Sequence, residues 1–143
     1  MKRFIASLAL MTASIASQAQ APQVLECLFK VGKEIVFSNK TPIDQVQSKI
    51  SMSASFKKNV KLSTGEEFEI QGYGTIQDLD SIGHYSSVAM SFTKVNEGIE
   101  ISSRDSRVTE KKLEDATLAS ATVSERNLKT QVFTTFTCII ATP

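Results

Sequence analysis

The sequence predicts an all-β domain of about eight antiparallel strands in meander order, closing as a small barrel, with a two-sheet sandwich as the alternative. Three observations carry this expectation. Apolar and polar residues alternate with period two in stretch after stretch, the mark of strands with one wet face. Short polar or Gly-containing segments separate these stretches, supplying the turns. The chain's two cysteines, Cys27 and Cys138, fall in the first and the last of them.

A segment of another kind precedes the first strand. Lys2 and Arg3 lead into an apolar run, Phe4 to Met11, which weakens toward Ile15 and ends in the small residues Ser17 and Ala19. This is the pattern of a secretory leader cleaved after Ala19, and it falls short of the roughly 20 apolar residues that span a bilayer. The 143 residues therefore read as a signal peptide, residues 1–19, and a single antiparallel β domain, residues 20–143. The product is expected in the periplasm or outside the cell and not as a membrane-spanning protein. Loss of Lys2 and Arg3 takes the formal charge from +1 to one below zero. No basic stripe is left to neutralise phosphates, so nucleic acid is not an expected partner.

Val24 to Val31 sets Leu25, Cys27, Phe29 and Val31 on one face, and Gly32 and Lys33 then turn the chain into a short strand around Ile35 and Phe37. Ser38 to Pro42 reads as a polar break. From Val46 the alternation is the clearest in the chain, with Val46, Ser48, Ile50, Met52, Ala54 and Phe56 facing one way. Lys58 to Gly65 should be a loop. Glu67 to Gln77 alternates again, and Gly72 and Gly74 on its apolar side imply a bend, a bulge or the close approach of another backbone.

Asp78 to Gly83 supplies the next turn. His84 to Lys94 and Ile99 to Val108, joined through Asn96, Glu97 and Gly98, form a hairpin. The charged stretch Thr109 to Asp115 is a loop or one helical turn, Ala116 to Val123 a small-residue strand, and Leu128 to Ile140 the last strand, with Phe136 and Cys138 inward.

The cysteines make closure specific. In a meander with an even number of strands the first and last run in opposite directions, as neighbours closing a barrel must. Cys27 lies near the start of its strand and Cys138 near the end of its own, so they meet at one height. Two cysteines in an exported chain pair with each other. A catalytic dithiol would place them two residues apart.

Candidates for chemistry are sparse. His84 is the chain's one histidine, too few for a zinc site that needs three or four ligands. Asp78, Asp80 and Gly83 open like a calcium loop, but Ile82 and Ala89 stand where further oxygen ligands belong. Lys57, Lys58 and Lys61 face Glu66, Glu67 and Glu69 across an expected hairpin, and Arg104, Arg107, Lys111 and Lys112 make a diluted basic patch.

In the meander, loops 39–44, 78–83 and 109–115 gather at one end with both termini. Asp78, Asp80 and Lys112 are therefore the expected partner-binding residues, since scaffolds of this kind bind through loops. The competing place is the barrel interior, where Gly72, Gly74, Ala54 and Ser48 would leave room for a small apolar ligand. The sequence thus points to an exported, non-enzymatic binding module that recognises a protein or a small ligand, with no cofactor and no metal. A structural or surface-associated cell-envelope protein is the alternative.

Overall fold

The computed structural model describes residues 23–79, 83–109 and 118–141. The predicted leader, Asp80 and the charged stretch that includes Lys112 lie outside these residues. Among the described residues the strands are β1 (Val24–Val31), β2 (Glu34–Pro42), β3 (Gln45–Val46), β4 (Ser51–Lys61), β5 (Glu67–Asp78), β6 (His84–Lys94), β7 (Ile99–Thr109), β8 (Ser120–Arg126) and β9 (Phe133–Ala141). They form two antiparallel sheets, one ordered β2-β1-β9-β8 and the other β3-β4-β5-β6-β7.

The all-β class and the meander order hold, but the expected barrel does not close. β1 and β9 are neighbours, with Cys27 opposite Cys138 and their Cα atoms 4.2 Å apart. The ring opens instead at two corners, between β2 and β4 and between β7 and β8.

Side chains explain both openings. At the first corner Ile43 is buried and its N–H donates to Gln23 O, one step beyond the Val24–Pro42 pair, so the chain stays with β1 to the end of β2. Phe37 of β2 meets Phe56 of β4 ring to ring at 5.6 Å, so a side-chain contact, without a backbone ladder, joins the two sheets here. At the second corner the backbone donors entering β8 are taken by side chains of the other sheet. Ala119 N–H donates to Ser86 Oγ at 3.1 Å and Ser120 N–H to Asp105 Oδ2 at 3.0 Å. A Lys94–Glu125 ion pair at 2.9 Å adds a further tie from β6 to β8.

Between the sheets lies an aromatic core. The Phe29 ring sits 5.2 Å from Phe68, 5.7 Å from Phe92 and 5.8 Å from Phe136, tilted and edge-on contacts that each contribute roughly 0.5 to 1.5 kcal/mol beyond area burial. The Cys27–Cys138 disulfide lies in the same layer. Opposite it, Gly72 and Gly74 turn out to mark neither a bulge nor a neighbouring backbone, for β5 keeps unbroken register on both sides. A Cβ on Gly72 would stand 2.6 Å from Phe56 Cε1, 3.1 Å from Cys27 Sγ and 3.2 Å from Cys138 Sγ, and one on Gly74 would stand 3.1 Å from Leu25 Cδ1. The glycines are a notch that the bridge and its neighbours fill. The room that the sequence assigned to a ligand at these positions is occupied by the protein itself, and Ser48 is exposed.

Several strand ends also move. β2 continues through Pro42, whose missing N–H is tolerated at the end of a sheet-edge strand. The long strand expected from Val46 begins at Ser51. The residues before it fold back, with Gln47 N and Ser48 N both donating to Ser51 O, which leaves Val46, Ile50 and Met52 exposed although alternation placed them inward. β8 runs on to Arg126, and the last strand starts at Phe133. The Asn127 side chain accepts from Lys129 N and Thr130 N and Gln131 takes φ 61°, so Leu128 to Val132 is a side-chain-closed turn.

Two outcomes follow. Gly72→Ala should lower stability by about 1 to 3 kcal/mol through overpacking, whereas Gly74→Ala, facing the movable end of Leu25, should change it by less; urea midpoints of the oxidised proteins compare them. Asp105 should contribute to acid sensitivity. The Ser120 N–H, then Arg107, holds its carboxyl below the ordinary value of 3.8. A depressed carboxylate stabilises the fold above its unfolded pKa and loses that contribution as pH falls through the folded one. Asp105→Asn should therefore be less stable at neutral pH and flatten the decline below about pH 4, as followed by thermal melts across pH.

Candidate functional site

The end loops are only partly in view. Asp78 closes β5 opposite His84 and is exposed, with its N–H donating to Ile50 O at 2.8 Å. Leu25 packs on Gly74 of the same strand, so this end also carries Gln23 and Ala141. Asp80 and Lys112, the other expected partner-binding residues, lie outside the described residues. Among the described residues no group of three or more His, Cys, Asp or Glu is placed to hold a metal ion, and no helix is long and apolar enough to cross a membrane.

A better-formed feature stands on the outer face of the five-stranded sheet. Continuous register from β4 to β7 stacks the polar halves of four alternating strands in rows. One row is Lys57, Gln71, Ser91 and Ser102; the next is Ser55, Tyr73, Ala89 and Arg104. These two rows line an open groove of about 830 Å³. Ala89 and Ser91 give it a low floor along β6. Gln71 and Tyr73 stand on the β5 side, Ser102 and Arg104 on the β7 side, and Glu100 at one end.

Local interactions fix much of this surface. Gln71 Nε2 donates to Ser91 Oγ at 2.9 Å, and Lys57 pairs with Glu69 at 2.9 Å. Just beyond the groove on the same face, Tyr85 OH donates to Ser106, which donates to Ser87. Hydrogen bonding to Ser106 and then to Ser87 holds the Tyr85 phenol below its ordinary value. Tyr73, by contrast, has 42% of its surface exposed. The chain has two tyrosines, and both lie on this face.

The other sequence candidates resolve into structure. Lys61 pairs with Glu67 at 3.0 Å across the β4–β5 hairpin, an exposed contact of less than about 1 kcal/mol. The basic patch divides, because alternation sends Arg104 outward to the groove while Arg107 turns to Asp105 at the corner. His84 takes no part in the groove.

The groove was not anticipated from the sequence. Each polar half-strand reads singly as a solvated face, and only the register shows that four of them adjoin. The one local signal was the placement of both tyrosines at polar-parity positions, where serine, glutamine and lysine otherwise stand. No protein-family model, curated protein or solved structure matches this chain.

Proposed function

We propose that this chain is an exported, non-enzymatic binding module whose ligand seat is the groove on the outer face of the five-stranded sheet. The observation that carries the reading is the groove itself, about 830 Å³ in volume with exposed Tyr73 and Arg104 on its sides. Binding sites combine such a recess with a few convergent polar groups. Export is supported by the leader pattern in residues 1–19 and by the Cys27–Cys138 disulfide, a bond that persists in oxidising compartments. Against catalysis, the groove brings serine hydroxyls together without an imidazole to activate them.

The surface-associated envelope protein remains the second reading, favoured by the opposite end of the molecule. There Ile35, Leu128 and Phe133 are exposed by 58%, 81% and 51%, with the Arg126 guanidinium over the Phe133 ring. Such apolar projections suit attachment to a larger assembly.

The readings separate in one experiment. Amide chemical shifts of the oxidised mature protein are followed while saccharide, peptide and lipid probes are added. Groove binding moves the amides of Tyr73, Ala89 and Arg104, and Tyr73→Ala abolishes those shifts while altering stability by less than about 0.5 kcal/mol, as for an exposed site. Shifts confined to the surroundings of Asp78 would return the site to the end loops; shifts confined to Leu128 and Phe133 would favour attachment by that tip.

A further inference from the structure

We infer that the ligand of this groove is an uncharged, polyhydroxylated chain, an oligosaccharide. The inference rests on the groove being the binding face and adds the chemical class of what it takes. Four features of the groove select that class.

The first is charge. The ionised groups lining the groove are Lys57, Arg104 and Glu100, and Lys57 is already matched by Glu69 at 2.9 Å. Positive and negative groups cancel, so nothing there collects the phosphates of a polyanion. A polycation finds no acidic surplus either.

The second is the backbone. β6 is flanked on both sides, by β5 and by β7, in unbroken antiparallel register. Its N–H and C=O groups are therefore spent in the ladders, and a ligand lying over it meets side chains alone. An extended peptide pairs its own main chain with a free strand edge, and the free edge of this sheet beside the groove is β7, at one rim and away from the β6 floor. A sugar carries its donors and acceptors around its rim and needs no strand edge.

The third is the composition of the surface. Ser55, Ser91 and Ser102 supply hydroxyls and Gln71 an amide, groups that both donate and accept. Gln71 and Ser91 already bond each other at 2.9 Å, but an apolar ligand would strip water from Ser55 and Ser102, at a cost of roughly 1 to 3 kcal/mol for each left unpaired. Hydroxyls of a sugar satisfy them.

The fourth is the apolar contact that a sugar ring also requires. The exposed Tyr73 ring stands directly opposite Ala89, giving a flat aromatic face beside a methyl floor. Tyrosine combines such a face with a polar tip, matching the C–H face and hydroxyl rim of a pyranose. From Glu100 to Arg104 the lining spans four strand steps, about 13 Å at the usual rise, which is longer than one sugar ring.

The test uses the full disulfide-bonded mature protein and, as probes, neutral glucan, galactan and N-acetylglucosamine oligosaccharides, alongside an uronic-acid oligosaccharide and a neutral peptide. Amide shifts and calorimetry are read together. The expected result is that at least one neutral oligosaccharide moves the amides of Tyr73, Ala89, Ser91 and Arg104, with a Kd that is nearly unchanged between about 50 mM and 200 mM salt. Tyr73→Ala should raise that Kd by about tenfold or more. Ala89→Gln, which fills the floor and keeps the tyrosine, should do the same, with the urea midpoint of each variant checking its fold. If no neutral oligosaccharide shifts these amides, the inference is overturned. If the peptide or the acidic saccharide shifts them instead, the groove stands and the sugar assignment falls; if every responding amide lies elsewhere, both fall.

Discussion

The disulfide between Cys27 and Cys138, pressed into the notch at Gly72, is the constraint on which the rest of this structure depends. It joins residues 111 positions apart, and closing so long a loop stabilises the fold by roughly 4 to 5 kcal/mol in the chain-entropy model. It also couples the two sheets. The bridge belongs to β1 and β9 of one sheet, yet both sulfurs stand where a side chain at position 72 of the other would be. The Phe29 cluster continues the same layer. First strand, last strand and the middle of β5 are thus held at one point.

What happens away from that point is decided by side chains at the corners. A barrel and a sandwich built on this meander differ only in whether β2 reaches β4 and β7 reaches β8. Here a Phe37–Phe56 ring contact stands at one corner in place of a backbone ladder. At the other, Ser86 and Asp105 accept from the backbone donors of Ala119 and Ser120 as the chain enters β8. Opening the ring leaves no buried side-chain polar atom unpaired among the described residues.

The five-stranded sheet that results keeps its polar face outward, and that face is what the groove is made of. Alternation made each component legible: Gln71 and Tyr73 sit at polar parity in β5, Ala89 and Ser91 in β6, Ser102 and Arg104 in β7. Their adjacency was not legible, since period-two patterning fixes which face a residue takes and carries nothing about its neighbour across the strand. Asp78, Asp80 and Lys112 follow from loop position, a signal separate from the strand-face pattern that makes the recess. The alternation of Leu128, Thr130 and Val132 misled for a local reason: Asn127 offers the backbone a turn that outcompetes the strand.

By itself the sequence determined the all-β class, the meander order, the inward parity of Phe29, Phe136 and Cys138, and the pairing of the cysteines at one height. These follow from the two-residue period of a strand and from the opposed directions of its first and last members, both properties of the chain alone. Only the tertiary structure decided that the ring opens into two sheets, that the disulfide faces Gly72 and Leu25 faces Gly74, and that four polar half-strands assemble one groove. Those outcomes depend on which side chains meet across strands far apart in sequence, and on whether a backbone donor finds a carbonyl or a serine and an aspartate first.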